Sequence, residues 1–73
     1  MEEARLLKKL GRAINAKRIA LGYSQEHLAE EAGCHRNFIG MVERGERNIT
    51  LIKLRDIAAA LKTTIADLTE GLR

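Results

Sequence analysis

The sequence holds no proline and no tryptophan, and only one cysteine, one tyrosine and one phenylalanine in 73 residues. Each scarcity removes a class of protein. With Cys34 alone, no intramolecular disulfide forms, which fits a reducing compartment. Two histidines, His27 and His35, added to that cysteine fall short of the four ligands of a structural zinc site, and no acid lies at ligand spacing from the adjacent Cys34 and His35. The aromatic rings of Tyr23 and Phe38 are too few for the stacking platforms that single-stranded or RNA binding would want. The longest apolar run, Ile57 to Leu61, is far short of the roughly 20 residues a membrane span needs. The start, Met-Glu-Glu, is acidic where a secretory leader would be basic. A cytoplasmic protein without membrane attachment is expected. Paired carboxylates, a phosphate-cradling glycine loop and a Ser/His/Asp set are all missing, so nothing supports an enzyme, and no metal or cofactor is expected.

What is present is helical periodicity. Nothing alternates with period two long enough to be a strand, which predicts an all-α fold occupying residues 1–73 as one domain. Leu7, Leu10, Ile14, Arg18 and Leu21 recur at spacings of three and four, predicting a first helix over about 3–21 that stops at Gly22. Ser24 reads as the N-cap of a short second helix with Leu28, Ala29 and Ala32 inward, ending at Gly33. A third helix is expected from Arg36 to Arg44, closing at Gly45. A fourth, capped by Thr50, carries Leu51, Leu54, Ile57, Ala58 and Leu61 on one stripe. Thr64 and Asp67 have the layout of a capping box that opens a fifth helix bearing Ile65, Leu68 and Leu72. A core this small is near the limit of independent stability, and a second copy is the simplest source of help.

Charge is distributed in blocks. Residues 1–22 hold six Lys/Arg against two acids, residues 23–33 hold three Glu and no base, and residues 34–55 hold five bases against two acids. The net charge of +3 permits a polyanionic partner. The second and third helices are each about two turns long, too short to stand alone. Counting Gln25 as the first position, Ala29 is fifth, Gly33 ninth, Ile39 fifteenth and Val42 eighteenth. A small fifth residue lets the next helix cross closely, the glycine supplies positive φ in the turn, and the two branched residues dock the later helix. The pattern is that of a helix-turn-helix over about 25–44.

Residues 17–29 (Lys-Arg-Ile-Ala-Leu-Gly-Tyr-Ser-Gln-Glu-His-Leu-Ala), 38–48 (Phe-Ile-Gly-Met-Val-Glu-Arg-Gly-Glu-Arg-Asn) and 54–61 (Leu-Arg-Asp-Ile-Ala-Ala-Ala-Leu) resemble the Cro/repressor-type, or XRE, helix-turn-helix regulators. The run Val-Glu-Arg-Gly-Glu-Arg-Asn-Ile-Thr-Leu, expected to have no effector domain after it, looks most like the small controller proteins of restriction–modification systems. The resemblance implies a compact five-helix, lambda-repressor-like DNA-binding domain. It also implies a homodimer that binds double-stranded DNA at a roughly palindromic operator, with RNA polymerase as a conceivable further partner. The alternative is a protein-interaction module of the same fold, antitoxin-like or anti-repressor.

The third helix leads with Arg36 and Asn37, long donors where a helix usually carries a capping acid. In a helix-turn-helix these positions face the major groove, which makes them the main base-contact candidates, with Phe38 and Met41 beside them. Gly40 departs from the polar residue often found there in such proteins. The family places a glutamine at the start of its second helix on a phosphate, which points to Gln25. Arg47, Asn48 and Thr50 stand similarly ahead of the fourth helix, and His35, Arg44 and Lys53 complete the phosphate candidates. Arg18 and Glu43 both fall on apolar rows, where each would be costly to bury unpaired; the family has a matching internal pair, so a structural ion pair is expected. For the dimer surface the apolar candidates are Leu51, Ile52, Ile65, Leu68 and Leu72.

Overall fold

The computed structural model describes residues 2–72. Its helices are α1 Glu2–Ala20, α2 Gln25–Ala32, α3 Arg36–Glu43, α4 Leu51–Ala60 and α5 Ile65–Thr69, followed by a 3₁₀ turn at Glu70–Leu72. Among the described residues there is no strand. The first four helices differ from the sequence expectation by a residue at most, α1 running one position earlier at both ends and α3 stopping at Glu43, whereas α5 ends at Thr69 and leaves Leu72 to the 3₁₀ turn.

The starts of α2, α4 and α5 share one device. The hydroxyls of Ser24, Thr50 and Thr64 accept from the N–H three residues on, at His27 (2.9 Å), Lys53 (3.1 Å) and Asp67 (3.0 Å). Each bond satisfies a donor that the first turn would otherwise leave bare. The helix α3 is the exception. Its N-cap residue is His35, whose side chain makes no capping bond, and its first turn carries no acid.

The ends of the first four helices also share one device. At each, the chain turns back through a left-handed residue, and the next N–H returns to a carbonyl five residues earlier: Tyr23 to Arg18 (3.1 Å), Cys34 to Ala29 (2.9 Å), Glu46 to Met41 (2.9 Å) and Thr63 to Ala58 (2.9 Å). The left-handed residue is Gly22, Gly33 and Gly45 in the first three and Lys62, at φ 59°, in the fourth. The turn at Gly33 decides the relation of α2 to α3. A residue with a Cβ would be strained there at φ 71°, and Ala29, 3% exposed, leaves room for α3 to cross over α2.

Ile14, Leu28, Ile39 and Ile57, one from each of the first four helices, are the fully buried side chains. Leu10, Val42, Leu54, Leu61 and Leu68 close around them. The helix α3 packs on α2 and α1, α4 packs on α2, and α5 with its 3₁₀ turn closes against α1. Burying these apolar faces together is what holds the two-turn helices α2 and α3, which have too few internal hydrogen bonds to persist alone. The helix α1 crosses closely at Gly11: a Cβ there would lie 2.5 Å from the Val42 carbonyl oxygen and 2.8 Å from the Glu43 carbonyl carbon.

Two apolar residues do not sit where the periodicity puts them, and a third is claimed by the core rather than by a dimer surface. Leu51, the first residue of α4, is 71% exposed instead of lying on the inward stripe, which begins at Leu54. Leu21 lies past the last turn of α1 and is exposed. Leu68, expected among the dimer candidates, is taken up by the chain's own core at 2% exposure, with Ile65 and Leu72 packed partly buried against the same cluster.

Candidate nucleic-acid interface

With Ile39 and Val42 locked inward, α3 turns Arg36 and Asn37 to solvent at its N-terminal end. Among the described residues, neither side chain makes a hydrogen bond or an ion pair. They line a shallow, open depression together with Gln25, Gly40, Met41 and Arg44. Arg36, Asn37 and Met41 are thus brought together. Phe38 is turned partly aside: its ring packs against the core, and the Arg47 guanidinium lies over it, 5.4 Å from the ring centre. That cation–π contact orients Arg47.

The pitch of α3 is set at its other end. Glu43 receives Arg18 Nε on Oε2 at 2.7 Å, while Arg18 Nη2 (3.2 Å), Asn15 Nδ2 (3.0 Å) and Gln25 Nε2 (3.0 Å) all donate to its Oε1. Arg18 Nη1 donates in addition to the Tyr23 carbonyl at 2.8 Å, so one side chain ties α1 to the α1–α2 turn and to α3. Burial pushes the Glu43 carboxyl up, but the bonds from Arg18, Asn15 and Gln25 and the Arg18 charge outweigh it and hold the group below its ordinary value. Arg18 and Glu43 were expected to pair; Asn15 and Gln25 were not. Asn15 lies three residues before Arg18 on the same face of α1, and that polar pair at helical spacing is the signal that could have found it.

The remaining polar candidates divide. Gln25 gives one amide hydrogen to Glu43 and keeps the other. Asn48 turns its carbonyl oxygen onto the Ile49 N–H at 2.9 Å, leaving its amide hydrogens outward, and Thr50 is engaged as the α4 cap. His35 is exposed. Arg44 is exposed and bound to Glu46, Nε to Oε2 at 3.0 Å. Lys53 does not join this face. Its ammonium points to the carbonyls of Ala32 and Gly33, 3.4 Å from each, and to Asp56 at 3.8 Å, neutralising the negative end of α2. Cys34 is half-buried against the core, and burial raises its thiol pKa. Among the described residues no group of three or more acids, His or Cys could hold a metal ion, and no helix is long and apolar enough to cross a membrane.

Two short helices crossing at a left-handed glycine, the second with its inner face docked and its N-terminal donors exposed, define a helix-turn-helix. The helix-turn-helix family profile matches residues 14–68. The chain belongs to this family, in its XRE branch. It is 52% identical over 52 residues to the control protein C.SmaI of Serratia marcescens, covering 68% of this chain and 62% of that one. Among solved structures it is similar to the restriction–modification controller protein C.AhdI of Aeromonas hydrophila, with a TM-score of 0.83 and 40% identity over 85% of this chain and 94% of that one. It is also similar to the controller protein C.Esp1396I, solved as a tetramer with its natural 35 base-pair operator, at TM-score 0.82 and 33% identity, covering 92% and 88%. The chain spans about three fifths of the length of the curated control protein C.SmaI.

Proposed function

We propose that this protein is a sequence-specific, double-stranded DNA-binding regulator of transcription that acts as a homodimer, each subunit placing α3 in a major groove. The observation that carries the reading is the pair Arg36 and Asn37: exposed, without side-chain partners among the described residues, and held on a helix whose other face is fixed in the core. Such donors match base edges, Arg spanning guanine O6 and N7 and Asn spanning adenine N6 and N7. Phe38 and Met41 supply apolar contact beside them. The free amide hydrogen of Gln25, together with His35, Arg47, Asn48 and Thr50, frames the helix with phosphate contacts that set register without reading sequence.

The genes controlled are those of a restriction–modification system, a reading supported by the controller proteins that the chain is similar to. Leu51 and Ile52, exposed side by side at the start of α4, form the centre of the dimer contact. Two-fold symmetry then sets half-sites about 34 Å apart on one side of the duplex. RNA polymerase is the natural protein partner of a regulator bound this way.

Selection of bound duplexes from a random library tests the reading. A palindromic motif is expected, with affinity falling steeply as salt rises and with Arg36→Ala losing preference at one position of each half-site. Weak binding indifferent to sequence would overturn it in favour of a protein-interaction module of the same fold.

A further inference from the structure

Gly40 stands on the outer face of α3, four residues after Arg36 and four before Arg44, and yet it is buried. Its cover does not come from the core. A Cβ at this position would lie 3.2 Å from Arg44 Nη1 and 3.8 Å from Gln25 Oε1. The Arg44 guanidinium is therefore folded back one turn along the helix, over bare backbone. Glu46 holds it from the other side through Nε. That leaves the Nη1–Nη2 edge, two parallel N–H groups without a partner among the described residues, lying over the depression that Arg36, Asn37 and Met41 also line.

Glycine at this place needs a reason. It sits inside an eight-residue helix, has no positive φ to supply, and weakens the helix relative to alanine. The space it leaves is the space the guanidinium occupies. Resting on the DNA-binding reading above, we propose that Arg44 is a specificity-determining residue, reading a guanine with its terminal edge from the place vacated by a side chain at Gly40. Glu46 is its positioning residue: by engaging Nε it fixes the plane of the fork and aims the two-donor edge outward. Arg44 thus extends the reading surface by one helical turn beyond Arg36 and Asn37.

The test uses the operator selected by the unmodified protein and compares Arg44→Ala, Arg44→Lys, Gly40→Leu and the double variant Gly40→Leu/Arg44→Ala, with thermal unfolding as the check on folding. Arg44→Ala is expected to lower affinity about tenfold or more and to relax preference at one further position per half-site. Arg44→Lys keeps the charge and the salt dependence but loses that preference. Gly40→Leu displaces the guanidinium and reproduces the loss, and the double variant is no worse than either single one. A loss in Arg44→Ala that is uniform over all sequences, or full retention of preference in Arg44→Lys, would reduce Arg44 to a phosphate contact and overturn the assignment. If the unmodified protein shows an Arg36-dependent motif while Arg44→Ala changes neither affinity nor preference, the Arg44 assignment alone falls. If the unmodified protein enriches no motif, both readings fall.

Discussion

Arg18 Nε and Glu43 Oε2 lie 2.7 Å apart, joining the last turn of α1 to the last residue of α3, with side chains 13% and 5% exposed. Two further donors, from Asn15 and Gln25, complete the coordination of the carboxylate. A charge so enclosed is tolerable only because every partner is in place. The direction in which α3 presents Arg36 and Asn37 depends on where its far end is held.

Replacing Glu43 by Gln keeps the shape and removes the charge, leaving the Arg18 guanidinium mostly buried without a counter-ion. Removing one partner of a buried pair costs about 3–5 kcal/mol, and the partial exposure of Arg18 places this case toward the lower figure. In a domain of this size that is most of the stability. Chemical denaturation should show the loss, whereas Glu46→Gln, which breaks the solvent-exposed pair with Arg44, should leave the unfolding midpoint nearly unchanged. Equal behaviour of the two variants would refute the role given to Glu43.

The same site predicts a pH dependence. The folded-state pKa of Glu43 lies below its ordinary value of 4.5, so folding favours the charged form. That contribution is complete above the unfolded-state value and disappears as pH falls through the depressed folded value. Asp67, lowered by Lys17 at 2.6 Å and by the Thr63 hydroxyl, adds in the same direction from an exposed position. Urea midpoints should therefore be flat from neutrality down to about pH 5 and fall below that. The fall should be shallower in Glu43→Gln, with Asp67 supplying part of what remains.

How much of this was legible beforehand depends on the range of the interaction. Ser24, Thr50 and Thr64 announce helix starts, and Ile39 and Val42 announce a docked face, because caps and periodicity involve residues within a turn or two of one another. The bare start of α3 was legible for the same reason: no acid precedes Arg36. Asn15 left a trace, a polar pair with Arg18 on one face of α1, but the bond of Gln25 to Glu43 left none, since it exists only once the helices have met. The surroundings of Lys53 were hidden for a related reason. A lysine near a helix start looks free for a phosphate until the carbonyls of Ala32 and Gly33, twenty residues earlier in sequence, are seen beside it.

Gly11 escaped notice as well, because a glycine inside a helix carries no mark of the neighbour that requires it. Alanine there would favour α1 by about 1 kcal/mol in isolation. Against that, its Cβ would meet the Val42 carbonyl at 2.5 Å, backbone that cannot yield without moving α3. Overpacking of this kind costs about 1–3 kcal/mol, so the balance should be destabilising. Gly11→Ala is expected to lower the unfolding midpoint and also to weaken operator binding measured well below that midpoint. A more stable variant with unaltered binding would mean that α1 and α3 have room to separate.

Lys62 offers the opposite case. It is the one non-glycine residue with positive φ among those described, at 59°, in the turn that ends α4. A side chain in this conformation costs roughly 1–2 kcal/mol, and the greater freedom of glycine in the unfolded chain recovers about 0.5–1 kcal/mol of that difference. Lys62→Gly should therefore raise stability by a few tenths to about 1 kcal/mol. Thermal unfolding of the two proteins side by side measures it, and a lowered midpoint would show that the lysine makes a compensating contact.

The last prediction concerns assembly. Leu51 and Ile52 are 71% and 64% exposed, the largest exposures of any big apolar side chain described, and they are adjacent. Leu68, by contrast, is buried within its own chain at 2%. If α4 begins the contact between two copies, a charge at either exposed position should separate them while leaving the fold intact. Sedimentation of Ile52→Glu is expected to show a monomer with helical content and unfolding midpoint near those of a dissociated wild type, and operator affinity should fall because two half-sites are no longer gripped at once. Leu68→Ala should instead cost about 2–5 kcal/mol, unfolding the chain rather than dividing a dimer. A dimer that survives a glutamate at both Leu51 and Ile52 would move the interface elsewhere, with the partly exposed Ile65 and Leu72 next in line.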